Sequence, residues 1–144
     1  MSLLDGESDW IAALATVAGE LHHASSGWHW TGFYRLLGDE LVIGPYQGTH
    51  GCLRIELSRG ICGAAARTRQ TQRVGDVASR PEHIACSAST VSEIVVPVLR
   101  PDGTLLAVLD IDSDLPAAFS EEDQEQLEAI CADLGRRFAS HRPG

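Results

Sequence analysis

The chain has 144 residues, enough for one domain and too few for two ordinary ones, and its 44% hydrophobic content supplies a core that needs no disulfide staple. Its net charge is −9, from 20 acids against 11 basic residues, all of them arginine and scattered along the sequence. Nucleic-acid binding, which needs a concentrated positive patch, is thereby disfavoured, and no apolar run approaches the roughly 20 residues that span a bilayer. The opening MSLLDGESDW lacks a cationic leader segment, so a cytoplasmic protein is expected.

Ser8 to Ala24 places Ile11, Leu14, Ala15, Ala18 and Leu21 at helical spacing behind a Ser8 cap. His22 and His23 at its end read as complements to the helix dipole. From Trp28 to Leu37 and from Glu40 to Tyr46 the period shortens to two across Gly38-Asp39, a hairpin signal. Leu53 to Leu57 is a short alternating segment, Gly60 to Arg69 an alanine-rich helix suited to close packing on a sheet, and Thr71 to Val74 a further short strand. Asp76 to Thr90 loses periodicity and forms a loop longer than most connections in a compact domain.

Glu93 to Leu99 and Thr104 to Asp112 are apolar strands joined by Arg100-Pro101-Asp102-Gly103, a tight turn. The last helix opens at Ser120 with three acids in its first turn and closes at Arg136-Arg137. This order predicts one α+β domain over residues 1–144, with a mostly antiparallel central sheet of five to six strands and N- and C-terminal helices packed on it.

Within Leu105–Asp112 side chains alternate between faces, so Asp110 and Asp112 extend the stripe of Leu106 and Val108, about 7 Å apart. Antiparallel pairing brings Glu93 opposite the stretch from Asp110 to Asp112. Registers pairing Glu93 with either aspartate gather three carboxylates on one face, and pairing with Ile111 does not. Such a cluster is costly to bury, and a solvated strand end is the inexpensive alternative. A functional cluster could hold a ligand ammonium or keep one carboxyl protonated as a general acid. Trp30 and Tyr34 share a face of the first strand with Gly32 between them, which fits an aromatic core and, beside acids, a pocket for a small cationic molecule with an apolar part.

Four cysteines, Cys52, Cys62, Cys86 and Cys131, contain no C-x-x-C pair, so no metal site is expected. Cys86 lies in the irregular loop in HIACSAST, three residues after His83 and among hydroxyls, where a thiol is accessible and can be reactive. Cys52 and Cys62 adjoin glycines, while Cys131 in the last helix reads as core.

With WTGFY, GPYQG, CLRI, GICG, HIAC, SEIVVP and VLDIDS, at cysteine spacings of 10 and 24, the chain resembles the free methionine-(R)-sulfoxide reductases, single GAF domains, over nearly its whole length. The resemblance implies that Cys86 is the nucleophile, that Cys52 is the main resolving cysteine with Cys62 a second thiol able to pair with Cys86, and that Trp30, Tyr34, Glu93, Asp110 and Asp112 line the substrate pocket. It further implies a sulfenic acid and an intramolecular disulfide, no bound cofactor, an external thioredoxin-like dithiol as reductant, and free methionine-(R)-sulfoxide as substrate, and it leaves room for a homodimer. His50-Gly51 before Cys52, where an alanine is commoner, and Cys131 depart from the pattern. The rival expectations are a non-catalytic GAF sensor of a small ligand, which would normally carry an output domain that 144 residues cannot hold, and a redox-sensing module whose output is the disulfide itself.

Overall fold

A computed structural model describes residues 2–81 and 89–141. Six strands, β1 (Trp30–Leu37), β2 (Glu40–Gln47), β3 (Arg54–Glu56), β4 (Gln72–Val74), β5 (Ser92–Leu99) and β6 (Leu105–Ser113), form one sheet in the order β3-β2-β1-β6-β5-β4. Every pairing is antiparallel. The helices are α1 (Trp10–Ala24), α2 (Gly60–Thr68) and α3 (Glu121–Arg137), and the expected α+β layout holds. Among the described residues no helix is long and apolar enough to cross a membrane.

The sheet divides two apolar layers because side chains alternate along each strand. On one face α1 and α3 cover Phe33, Ile94, Val96, Leu109 and Ile111, and Cys131 is buried there as expected. On the other face α2 packs Ile61, Cys62, Ala65 and Ala66 against Val95 and Val108. Small residues on α2 let its backbone sit close to the strands. Gly135 does the same for α3: a Cβ there would lie 1.8 Å from the Leu99 carbonyl oxygen.

Two local expectations are corrected. The cap of α1 is Asp9 rather than Ser8: its carboxylate accepts from the Ala12 N–H at 2.9 Å. His22 does not serve as a dipole cation, since burial, then the charges of His23 and His29, lower its pKa, and its Nδ1 lies 3.0 Å from Thr31 Oγ1. It pins α1 to β1 as a neutral ring. At α3 the reading stands and is extended, because Ser120 and Asp123 close a reciprocal capping box.

Two bulges set the registers that matter below. The β1–β2 pairing shifts by one residue between Gly32 and Tyr34, and the β5–β6 pairing shifts between Val98 and Leu99. Each shift exchanges which side chains face α2.

Candidate active site

On the α2 face the central strands align three rows of side chains. Glu93, Asp112 and Trp30 stand in one row, Val95, Asp110 and Gly32 in the next, and Pro97, Val108 and Tyr34 in the third. The three carboxylates therefore share one face and converge at one end of the sheet, which is the arrangement the alternation allowed but did not fix. Glu93 is 7% exposed and Asp110 5%, so the cluster is not a solvated strand end. Asp112 is partly exposed at its rim.

Burial keeps these groups protonated well above the usual carboxylate range, although the charge of Arg80 draws Glu93 part of the way back. Desolvation comes first for all three, followed by the charge of Asp110 on Glu93, of Asp112 on Asp110 and of Glu93 on Asp112. The carboxyls hydrogen-bond one another, so at least one proton is shared within the group. Asp110 Oδ1 and Asp112 Oδ1 are nevertheless buried with no hydrogen-bond partner among the described residues. A buried acceptor left open in this way favours a donor, and above all a cationic one.

Cys62, 4% exposed on α2, completes the cluster by hydrogen-bonding Asp110. Burial, then the charges of Asp110, Glu93 and Asp112, raise its pKa well above the ordinary thiol value, so it is a neutral thiol. The cysteine spacing predicted no metal site, yet ligand atoms of Cys62, Glu93 and Asp110 lie within 4.8 Å of one another, a set that could hold a metal ion. Any cation there must displace the protons the cluster retains.

An aromatic wall stands beside the acids. Trp30 stacks on Tyr34 at 5.9 Å and on Tyr46 at 5.2 Å, and its indole N–H donates to the Thr49 carbonyl at 2.8 Å. Burial, then the charges of Asp110, Cys62, Asp112 and Glu93, push the Tyr34 phenol upward, so it too is a neutral donor beside the cluster. A Cβ built on Gly51 would lie 3.1 Å from both the Trp30 ring and the Tyr34 hydroxyl, so the segment that leads into Cys52 runs against this wall. Cys52 is disulfide-bonded, whereas Cys62 and Cys131 are free. Cys86 and His83, singled out from the sequence, lie outside the described residues.

Tyr46 is the member of the wall that sequence reasoning did not select. Gly32 is what lets the wall form: a Cβ there would lie 2.4 Å from Tyr46 Cβ and 2.6 Å from the Trp30 ring. Gly32→Ala is expected to push apart the indole and the β2 backbone at Tyr46. Catalytic efficiency on a substrate of this site should then fall about tenfold or more, since misplacement by about 1 Å can cost that much. A changed near-ultraviolet circular dichroism spectrum with unchanged efficiency would show that the wall does not position the ligand.

A family model described as GAF domain matches residues 8–138. A protein named free methionine-R-sulfoxide reductase from Escherichia coli (strain K12) is 40% identical over 139 residues, covering 96% of this chain and 84% of that protein. The structure of free methionine-R-sulfoxide reductase from Neisseria meningitidis in complex with its substrate aligns with a TM-score of 0.90 and 45% identity, covering 96% of this chain and 83% of that one. The reduced form of the Staphylococcus aureus enzyme aligns with a TM-score of 0.89 and 40% identity, covering 94% and 88%.

Proposed function

The chain belongs to the GAF domain family and, within it, to the free methionine-R-sulfoxide reductases; from that membership we propose that residues 1–144 act as one catalytic unit that reduces free methionine-(R)-sulfoxide to methionine. The observation that carries the reading is the buried carboxyl cluster of Glu93, Asp110 and Asp112 facing the Trp30–Tyr34–Tyr46 wall. The substrate needs both halves. Its ammonium suits the open oxygens of Asp110 and Asp112, and the apolar methyl and methylene groups around its sulfoxide suit the rings.

In this mechanism the Cys86 thiolate attacks the sulfoxide sulfur while a cluster carboxyl gives its proton to the sulfoxide oxygen. That oxygen ends, with the proton, on Cys86 as a sulfenic acid, and the thioether of methionine leaves. The Cys52 thiol then condenses with the sulfenic acid, forming a disulfide and releasing water. An external thioredoxin-like dithiol returns both cysteines to thiols by exchange. The disulfide-bonded state of Cys52, with Cys62 and Cys131 free, supports Cys52 over Cys62 as the resolving residue. The raised pKa of Cys62 points the same way, because a neutral buried thiol is a poor attacking group. Cys62 serves as the thiol that hydrogen-bonds Asp110.

The decisive comparison is between free methionine-(R)-sulfoxide and its N-acetyl derivative, assayed for methionine release with a dithiol reductant. Acylating the nitrogen removes the cation and leaves buried acids unpaired, a penalty of several kcal/mol. The N-acetyl compound is expected to be a very poor substrate, and comparable efficiency on both would defeat the ammonium role. No release from the free amino acid would overturn the assignment as a reductase.

A further inference from the structure

At the far end of β5 from Glu93, beyond the short β4, lies a cavity of about 680 Å³ between α3, the end of α2 and the turn joining β5 to β6. Three of the chain's 11 arginines line it, Arg69, Arg100 and Arg136, with Glu128 as the one acid among the lining residues. Glu128 is already engaged by neutral donors, the Thr71 hydroxyl and the Gln124 side-chain amide. The cavity is therefore a cationic recess in a chain of net charge −9, the reverse of its surroundings.

Among the described residues Arg69 and Arg100 pair with no carboxylate, and Arg136 pairs with one only weakly. Arg69 spends its Nε–H on the Gly103 carbonyl at 3.0 Å, which fixes the side chain across the cavity and leaves its outer nitrogens without a hydrogen-bond partner among the described residues. Its backbone sits at φ 54°, a left-handed position at the end of α2 where glycine or asparagine is preferred, so an arginine is held there against a local cost. Arg100 Nε is buried and has no hydrogen-bond partner among the described residues, so one side of that cation is dehydrated without compensation. Arg136 reaches Asp133 only at 3.5 Å, and that carboxylate is held more closely by Arg137 Nε at 2.8 Å. Val96, Pro97 and Leu99 supply an apolar wall.

We propose that this recess is a second ligand site, separate from the carboxyl cluster, for a small organic dianion whose phosphate-type oxyanion is gripped by the forks of Arg100, Arg69 and Arg136 while its apolar part lies on Pro97 and Leu99. Guanidinium forks match the paired oxygens of such a group, and a partly dehydrated cation gains more from an anion than a hydrated one. The requirement is opposite in sign to that of the active site, so the two ligands do not compete.

The test is a titration of the reduced full-length protein with pyrophosphate, with adenosine diphosphate and with neutral adenosine, followed by amide chemical shifts. Pyrophosphate and adenosine diphosphate are expected to shift Arg69, Gln70, Thr71, Leu99 and Arg100 with a Kd on the order of 1 mM or tighter, weakening as salt rises. Tighter binding of adenosine diphosphate than of pyrophosphate would establish the apolar contact, and adenosine alone should leave these signals in place. Arg100→Gln should weaken binding about tenfold or more, in line with loss of a charge-assisted pair. Arg136→Gln, at an exposed position, should weaken it as well and serves if the first variant folds poorly. Methionine release by both variants should be unchanged. Absence of shifts at these residues, or equal binding by wild type and Arg136→Gln, would overturn the proposal without touching the reductase reading.

Discussion

Replacing Cys86 with serine is expected to abolish methionine release, in a single turnover as well as in steady state. A hydroxyl is far less nucleophilic than a thiolate, and neither free thiol can substitute. Cys131, on α3, is buried in the core on the opposite face of the sheet, and Cys62 is a neutral buried thiol hydrogen-bonded to Asp110. Cys52→Ser separates the first step from the second: without external reductant it should release about one methionine per site and stall as a sulfenic acid at Cys86, trappable with a sulfenic-specific probe. The two variants are read in one burst experiment with reduced protein and no dithiol. Substantial turnover by Cys86→Ser would remove the nucleophile assignment. Unimpaired cycling of Cys52→Ser with thioredoxin would show that Cys62 can resolve.

The second large effect belongs to the carboxyl cluster. Glu93→Gln keeps the shape and hydrogen-bonding capacity of the side chain but cannot release a proton to the sulfoxide oxygen. Turnover is expected to fall by about 10² to 10⁴, the range of general acid catalysis. In the wild type, activity should decline as pH rises through the raised apparent pKa of the cluster, while the low-pH limb reports loss of the Cys86 thiolate. Stability should follow the same sign. Because Glu93, Asp110 and Asp112 have folded-state pKa values above their unfolded ones, their contribution is complete below the ordinary carboxylate range and is lost as pH climbs through the raised values. Glu93→Gln removes one titrating member, so its loss of stability between mildly acidic and alkaline pH should be smaller than that of the wild type in denaturant unfolding. A kcat profile that stays flat across that alkaline range, or a variant with wild-type turnover, would falsify the proton-donor role.

The acid cluster was legible as a candidate because carboxylates in an apolar alternation are anomalous, but a strand that reads Leu105-Leu106-Ala107-Val108 and continues with Asp110 and Asp112 on the same face fits a solvated strand end as well as a working cluster. Trp30 and Tyr34 were legible as a pair for the same period-two reason. The local sequence showed Cys62 as a cysteine beside glycine and the family resemblance as a second thiol, but neither says that α2 packs it within 4.8 Å of Glu93 and Asp110. His22 was misjudged because dipole arguments apply to an exposed helix end, and Thr31 of β1 lies against this one.

Local pattern by itself determined the elements, their order, the tight turn at Arg100–Gly103 and the capping of α3, because each depends on neighbours a few positions away. Register was decided only in the folded sheet. At the turn, Leu99 pairs with Leu105, and continuing that count would set Glu93 opposite Ile111, on the α1–α3 face. The bulge between Val98 and Leu99 adds one residue and sets Glu93 opposite Asp112, with the acids together. In β1–β2 the count from Gly38-Asp39 would pair Gly32 with Pro45, and the bulge after Gly32 moves Tyr46 into that place and onto the Trp30 ring. A one-residue slip costs little in local propensity but inverts every side chain beyond it, so only the burial of both sheet faces, by α2 on one side and α1 with α3 on the other, could choose between the registers.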